Sequence, residues 1–192
     1  DTMKTMVNTF SDYARPPKIT LEPTDLNDLV SGVVDLFKSA SPDITFTLSL
    51  DPNLPQIPAD LNRLRQVVNN LVKNAIEASS KIPEPYVEVS TNLFSSDAET
   101  YAEIRIEDRG EGVNDKLSEN IFEPYVTNKT KGTGLGLAIV KKIVEEHGGI
   151  VSLENNPGPG AIAIIRLPIA SVGDTLKRAQ YHNFDKVHVG VT

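Results

Sequence analysis

The sequence predicts an α+β fold: a two-layer α/β sandwich in which a mixed, mostly antiparallel sheet is packed by about three helices. The prediction depends on two observations. Runs of strand-like alternation and runs of helical periodicity both occur, and hairpin-length links separate the strand patterns. The chain shows no βαβ rhythm and no internal repeat.

The chain begins with apolar residues at helical spacing from Met3 to Ala14. This pattern stops before Pro16, because the residue before a proline is disfavoured in the helical region. We interpret it as the last part of an amphipathic helix that packs on a partner helix outside this chain. Three further helices are predicted, over residues 24–40, 59–80 and 134–147.

Caps and apolar stripes support these three helices. Thr24 or Asp25 is a suitable N-cap for the first helix, and Gly148 and Gly149 end the last. The middle helix is the longest, and its predicted apolar seam consists of Leu61, Leu64, Val68, Leu71, Ala75 and Ala78.

Alternating apolar and polar residues predict five strands, over residues 44–51, 86–94, 101–108, 150–154 and 161–167. A turn rich in asparagine, proline and glycine separates the last two. We expect three units: residues 1–18 as a helix end and linker, 19–170 as one domain, and 171–192 as an unassigned tail.

Composition excludes several classes of function. The net charge of −7 disfavours a broad nucleic-acid or anionic-membrane surface, since both partners reward a basic face. Without cysteine the chain has no disulfide framework, cysteine nucleophile or thiolate metal site. No apolar run reaches the ~18 to 20 residues of a membrane span. We expect no nucleic-acid partner, no direct membrane contact and a cytoplasmic location, with any inner-membrane anchor belonging to the full-length parent protein.

The first polar cluster lies on the longest predicted helix. Its members are three and four residues apart and form one stripe beside the apolar seam: Asn70, Lys73, Asn74 and Glu77. A solvated helix face is one interpretation, and a ligand site is the other. An amide oxygen suits Mg²⁺, which takes few protein ligands plus waters and substrate phosphates, and a lysine supplies a point charge for phosphate.

The second cluster begins at Asp108, which ends a predicted strand on its buried side because Ile104 and Ile106 alternate inward before it. A buried carboxylate needs hydrogen-bond donors. Nearby turn amides could supply them, or the carboxylate could accept the exocyclic amine of adenine. Gly110 and Gly112 would let the backbone turn closely beneath a flat base.

The third cluster consists of Gly132, Gly134 and Gly136, which precede the last predicted helix. Exposed amides and the positive end of the helix dipole bind anions readily. The spacing fits neither a dinucleotide fingerprint nor a Walker A motif, so without the other clusters a flexible loop entering a helix would be preferred. Together the three clusters indicate binding of a magnesium nucleotide.

Four segments in one order resemble the N, G1, F and G2 boxes of sensor histidine kinases: residues 70–75, 108–112, 122–125 and 132–137. The similarity covers about residues 19–168, and details are most similar to the nitrogen-regulation (NtrY-like) group. The resemblance implies the Bergerat ATP-binding fold of the GHKL superfamily. In that fold ATP lies between helices and a mobile lid, here at about residues 114–133.

The resemblance also implies roles for single residues. Asn74 would bind Mg²⁺, and Asn70 and Lys73 would assist the phosphates; these three are the predicted catalytic residues. Asp108 would contact the adenine amine. The other residues predicted to contact ATP are Gly110, Gly112, Tyr125, Lys129, Gly132, Thr133, Gly134, Leu135 and Gly136. The chain departs from the family pattern at Arg109, Tyr125 and Ala161, where asparagine, phenylalanine and threonine are usual.

One position separates a kinase from an ATPase. Related ATPases such as gyrase and Hsp90 carry a water-activating glutamate four residues before the metal-binding asparagine, whereas this chain has Asn70, which is no base. Phosphoryl transfer depends mostly on positioning and charge neutralisation, so a kinase can receive its acceptor from elsewhere. The alternatives are a GHKL-type ATPase or serine kinase, and a degenerate interaction module without nucleotide.

None of the histidines fits the family's phosphoacceptor, which is followed by an acidic residue on the first helix of a dimerisation hairpin. His147 lies at a predicted helix end, where a cation would suit the dipole and a structural role is expected. His182 and His188 lie in the unassigned tail. The implied partners are the parent kinase's dimerisation hairpin, with residues 1–14 as the end of its second helix, and a response-regulator receiver domain. We expect ATP binding but no phosphorylation of this chain itself.

Overall fold

The structure is a computed structural model that describes residues 18–96, 99–114, 120–126 and 134–170. Several predictions lie outside these residues: the helix before Pro16, the tail after residue 170, most of the lid, and the site residues Lys129, Gly132 and Thr133. No helix within the described part is long and apolar enough to cross a membrane.

The described residues contain three helices, α1 (Leu26–Ala40), α2 (Leu61–Ser79) and α3 (Gly136–Glu146). Each confirms a predicted helix, with ends no more than two residues from the predicted limits. Asp25 caps α1 by accepting hydrogen bonds from the N–H groups of Asn27 at 2.8 Å and Asp28 at 3.1 Å. Asp60 caps α2 by accepting from the N–H of Arg63 at 3.1 Å.

The strands of the described residues form two sheets: β1 (Glu22–Thr24), β2 (Thr45–Leu50), β3 (Ile57–Ala59), β4 (Tyr86–Ser95), β5 (Thr100–Asp108), β6 (Ile150–Asn155) and β7 (Ala161–Pro168). The main sheet has the order β2-β4-β5-β7-β6. β2 and β4 are parallel and the other neighbours antiparallel. The predicted mixed, mostly antiparallel sheet and its five strands are therefore confirmed.

The small sheet of β1 and β3 was not predicted. The two strands pair antiparallel over three residues each, and the register places Pro23 opposite Pro58. Three residues are too few to show alternation, and proline counts against a strand. Ala59 belongs to β3, so the long helix begins two residues after its approximate predicted start.

Helices and sheet share one apolar core. α2 lies between α1 and α3 and over β4 and β5, with Leu64, Val68, Leu71 and Ala75 buried as predicted. Leu61, the first residue of α2, was wrongly assigned to this seam, because it is 42% exposed. The core residues contributed by the main sheet include Val87, Val89, Ile104, Ile106, Ala163 and Ile165.

Polar contacts join the start of α2 to the end of α3. His147 is buried; its Nε2 accepts a hydrogen bond from the N–H of Asp60 at 3.0 Å, and its Nδ1 bonds the carbonyl of Ile143 at 2.7 Å. Nε2 accepts a hydrogen bond and so carries no proton, which makes the ring neutral, and burial lowers the pKa of His147. Its role is structural, as expected. Arg63 forms an ion pair with Glu146 beside it.

Candidate functional site

The polar stripe of α2 reaches the start of α3 through Asn70, whose Nδ2 donates a long hydrogen bond of 3.5 Å to the carbonyl of Gly136. Asn70 and Asn74 are both half-buried. Lys73 is exposed, with its Nζ 4.0 Å from Glu77 Oε1. The first and third predicted clusters are therefore neighbours in space, although 66 positions separate Asn70 from Gly136.

The loop that follows β5, residues 108–113, is called here the G1 loop. It packs directly on α2: a Cβ at Gly110 would lie 2.7 Å from the carbonyl oxygen of Ala78, an approach that only glycine permits. Arg109 extends to the neighbouring strand, where its Cζ lies 3.9 Å from the ring centroid of Tyr86. The second cluster thus lies against the same helix as the first.

Asp108 is held by backbone amides of two segments. Its Oδ1 accepts hydrogen bonds from the N–H of Gly110 at 2.8 Å and of Ala161 at 3.4 Å. These contacts agree with the interpretation that nearby backbone amides supply the donors. Oδ2 accepts no hydrogen bond from the described residues. Burial raises the pKa of Asp108, the two amide hydrogen bonds oppose that rise, and Glu107 adds to it. The carboxylate is therefore both fixed in place and costly to ionise.

Two further asparagines hold the G1 loop, and the sequence analysis missed them. Asn155 exchanges two hydrogen bonds with the backbone of Val113: the Val113 N–H donates to Oδ1 at 2.6 Å, and Nδ2 donates to the Val113 carbonyl at 3.0 Å. Asn156 Nδ2 donates to the carbonyl of Asp108 at 3.1 Å. The residues in these contacts are 42 and 48 positions apart in the sequence, so no local sequence pattern predicts them.

The glycine turn at the start of α3 is joined to the F-box segment. Tyr125, at a left-handed φ of 67°, donates its N–H to the carbonyl of Gly134 at 3.0 Å. Its side chain is 59% exposed, whereas Leu135 is buried. The N-terminus of α3 has no side-chain cap and no acidic residue in its first turn, which leaves the positive end of the helix dipole without a carboxylate from the helix itself.

The predicted residues that the structure describes therefore meet around one helix: the stripe of α2, the G1 loop and the start of α3. Within the described part of the chain, no three histidine, aspartate or glutamate side chains are close enough to hold a metal ion. A groove of about 390 Å³ lined by Leu21, Ile57 and Ile169 contains none of the predicted site residues.

A comparison with protein families matches residues 59–171 to the family described as histidine kinase-, DNA gyrase B- and HSP90-like ATPase. The matched segment includes α2, the G1 loop and α3. The chain therefore belongs to this family of ATPase domains.

Curated relatives are sensor kinases. The nitrogen regulation protein NtrY of Azorhizobium caulinodans is 36% identical over 173 residues, which cover 88% of this chain and 22% of NtrY. The sensor histidine kinase ZraS of Klebsiella oxytoca is 33% identical over 171 residues, 88% of this chain and 36% of ZraS. The chain thus spans about a fifth of the first relative and about a third of the second.

Solved structures with the same fold are histidine kinases. Full-length ShkA in complex with AMPPNP superposes with a TM-score of 0.75 at 28% identity, covering 88% of this chain and 36% of ShkA. The catalytic domain of ThkA gives 0.69 at 32% identity, covering 78% of this chain and 96% of that domain. ThkA in complex with the response regulator TrrA gives 0.72 at 29% identity, covering 87% and 47%.

Within its family, the chain is an ATP-binding catalytic domain of the sensor histidine kinase type. This confirms the resemblance drawn from the four boxes, together with the predicted GHKL fold. NtrY among the relatives agrees with the predicted similarity to nitrogen-regulation kinases.

Proposed function

We propose that this chain positions Mg-ATP for transfer of the γ-phosphoryl group to a histidine on a dimerisation helix of its parent kinase. From there the phosphate passes to an aspartate of a response regulator. The observation that carries the proposal is the meeting of the three clusters around α2, through Gly110 on Ala78 and Asn70 on Gly136. Transfer to a histidine is supported by the names of the relatives, which are histidine kinases. Transfer onward to a response regulator is supported by the structure of ThkA in complex with TrrA.

The proposed roles follow the position of each group. Asn74 binds Mg²⁺, and Asn70 and Lys73 assist the phosphates from the same face of α2. Asp108 accepts the adenine amine, with Gly110 and Gly112 beside the base. The residues proposed to close over the phosphates are Tyr125, Lys129, Gly132, Thr133, Gly134, Leu135 and Gly136.

The residues near Asn74 suit a magnesium ion that arrives with the nucleotide. Mg²⁺ prefers oxygen ligands and retains several waters, and in nucleotide sites phosphate oxygens complete its shell. Asn74 offers a neutral amide on a half-buried helix face, so it adds no repulsion toward a triphosphate. Held at Asn74 with the nucleotide, Mg²⁺ would supply neutralisation of the charge on the phosphates.

Thermal melting with Mg-ATP tests nucleotide binding. Ligand at 100 times its dissociation constant should stabilise the chain by ~2.7 kcal/mol, and Asn74→Ala should remove most of that gain. Asn62→Ala, at an exposed asparagine in the first turn of the same helix, is the matched control and should retain the gain. An Asn74→Ala variant that retains the full magnesium-dependent shift would remove the metal assignment, and no shift in the unmodified chain would indicate an interaction module.

Radiolabelled ATP tests the transfer step. The chain mixed with a separately made dimerisation hairpin should label a histidine of the hairpin, and the chain alone should take up no label. Turnover of ATP without any hairpin, or label on serine, would instead favour the ATPase or serine-kinase alternatives. Asn70 argues against the ATPase, because an amide that donates to Gly136 does not activate water.

A further inference from the structure

We propose that Asn155 and Asn156 are positioning residues for base recognition: they hold the G1 loop so that Asp108 can distinguish adenine from other bases. This inference rests on the proposed role of Asp108 toward the adenine amine. Neither asparagine belongs to the four family-like boxes; Asn155 ends β6, and Asn156 begins the turn after it.

Asn155 fixes the far end of the G1 loop. Its side-chain amide pairs with both backbone groups of Val113, at 2.6 and 3.0 Å, as a neighbouring strand would. Asn155 is itself exposed, so the contact contributes little to the apolar core. A Cβ at Gly112 would lie 2.6 Å from Asn155 Oδ1, which shows how closely the loop follows this side chain.

Asn156 and the residues after it fix the near end. Asn156 Nδ2 donates to the carbonyl of Asp108, and Ala161 N–H donates to the Asp108 carboxylate. Gly160 has a φ of 100°, and a Cβ there would overlap the carbonyl oxygen of Asp108. Backbone and carboxylate of Asp108 are therefore both oriented by the β6–β7 turn.

The contacts of Asn155 and Asn156 should affect binding of the base and not binding of the phosphates. The phosphate-side groups lie on α2 and at the start of α3, whereas the side-chain hydrogen bonds of Asn155 and Asn156 go to Val113, Asp108 and Ala161. Releasing one end of the G1 loop should therefore weaken recognition of the adenine amine and leave phosphate binding intact. A residue that only supports folding would not weaken adenine recognition selectively in protein that remains folded.

Calorimetric titration of the full chain with Mg-ATP and Mg-ITP measures this difference, because inosine carries an oxo group where adenine carries the amine. Asn155→Ala and Asn156→Ala should each raise the dissociation constant for ATP about tenfold and change that for ITP less than about twofold. Asn92→Ala, at an exposed asparagine of β4, is the matched control and should leave both constants unchanged.

Asp108→Asn is the reference that separates the two proposals, since an amide can donate to the oxo group of inosine and should shift preference toward ITP. Should Asp108→Asn shift preference while both asparagine variants keep the original ATP-to-ITP ratio, the positioning inference is overturned and the proposed function stands. An unchanged ratio in Asp108→Asn would overturn base reading by Asp108, and the inference with it.

Circular dichroism melting checks that each variant is folded before titration. If Asn155→Ala does not fold, Asn155→Asp takes its place, because it keeps an oxygen acceptor for Val113 N–H and replaces the donor to the Val113 carbonyl with a carboxylate oxygen that cannot donate. It should lose part of the discrimination, and full retention of the ATP-to-ITP ratio would count against the inference.

Discussion

Gly160 shows how one residue supports the candidate site without approaching the nucleotide. It has a φ of 100°, a region that residues with a side chain rarely adopt, and it lies against the Asp108 carbonyl. Because of both the left-handed φ and the close carbonyl, the β6–β7 turn accepts no side chain at this position.

Gly160→Ala should destabilise the chain by about 2 kcal/mol or more, since left-handed strain and the overlap with Asp108 add. At Gly158, in the same turn, a Cβ would have no atom within 4 Å and the φ is not left-handed, so the effect of Gly158→Ala should be within about 0.5 kcal/mol. Urea unfolding of both variants measures the difference. Equal effects would show that the turn can relax around a methyl group.

His147 gives the chain a pH-dependent stability. The groups that face it are Asp60, Arg63 and Glu146, and its burial lowers its pKa below the ordinary value of 6.5. A lowered histidine pKa means that the unfolded chain binds the proton more readily. This contribution is therefore complete above pH 6.5 and is lost as the pH falls from 6.5 toward the lowered value.

His147→Gln should remove that dependence, because glutamine can accept the hydrogen bond from Asp60 N–H but does not titrate. Urea midpoints measured above and below pH 6.5 should differ more for the unmodified chain than for the variant. If the unmodified chain and the variant lose the same stability as the pH falls, that loss comes from other titrating groups.

At the scale of single residues, the alternation of apolar and polar residues predicted whether a side chain is buried but not which residues it contacts. Alternation through Ile104 and Ile106 placed Asp108 on the buried side of β5, and it is 7% exposed. The hydrogen bond between His147 and Asp60 was not predicted, because Asp60 lies 87 positions earlier. The roles of Asn155 and Asn156 were missed for the same reason.

At the scale of elements, α3 is joined to α2 at both of its own ends by polar contacts of different kinds, one to the middle and one to the first turn of α2. Asn70 meets Gly136 at the candidate site, and the buried Arg63 guanidinium meets Glu146 at the opposite end. Arg63 is on the first turn of α2 and Glu146 on the last turn of α3, so this ion pair links the beginning of one helix to the end of the other.

Glu146→Gln should destabilise the chain by about 1 to 3 kcal/mol, because it leaves a buried guanidinium with a weaker acceptor. Lys81→Gln breaks the exposed pair with Glu111 and should leave the urea midpoint nearly unchanged, since exposed pairs contribute little. A Glu146→Gln variant as stable as the Lys81→Gln variant would show that Arg63 finds another partner.

Elements long enough to show a period were predicted within a few residues, and short ones were not. The 19-residue α2 has more than five turns of amphipathic pattern, whereas β1 and β3 have three residues each and carry Pro23 and Pro58. Their pairing is a tertiary contact that depends on where α1 and α2 begin. The pairing partner of β2 was likewise left open, because alternation does not state whether a neighbour is parallel.

At the scale of the whole molecule, the described elements run from β1 to β7, and the family match ends at residue 171. The ThkA catalytic domain covers 78% of this chain while accounting for 96% of its own length. The predicted division into residues 19–170 and a separate tail remains a prediction that truncation can test.

Removal of residues 171–192 should leave the melting shift produced by Mg-ATP unchanged, because every group proposed to contact nucleotide precedes residue 137. Differential scanning calorimetry of the full and shortened chains, each with and without Mg-ATP, makes the comparison. A shift that disappears with the tail would place part of the nucleotide site, or of the fold, in those residues.

The contacts of Arg63 with Glu146 and of Asp60 with His147 fasten the C-terminal end of α3 to the start of α2. The glycine tip of α3 lies ten residues from Glu146, roughly 15 Å along the axis. A tilt of about 4° at the fastened end would therefore displace the tip by about 1 Å, a misplacement that can cost an enzyme ~10²-fold in rate. Under the proposed function, the placement of the glycine tip relative to the phosphates would therefore depend in part on contacts at the opposite end of α3.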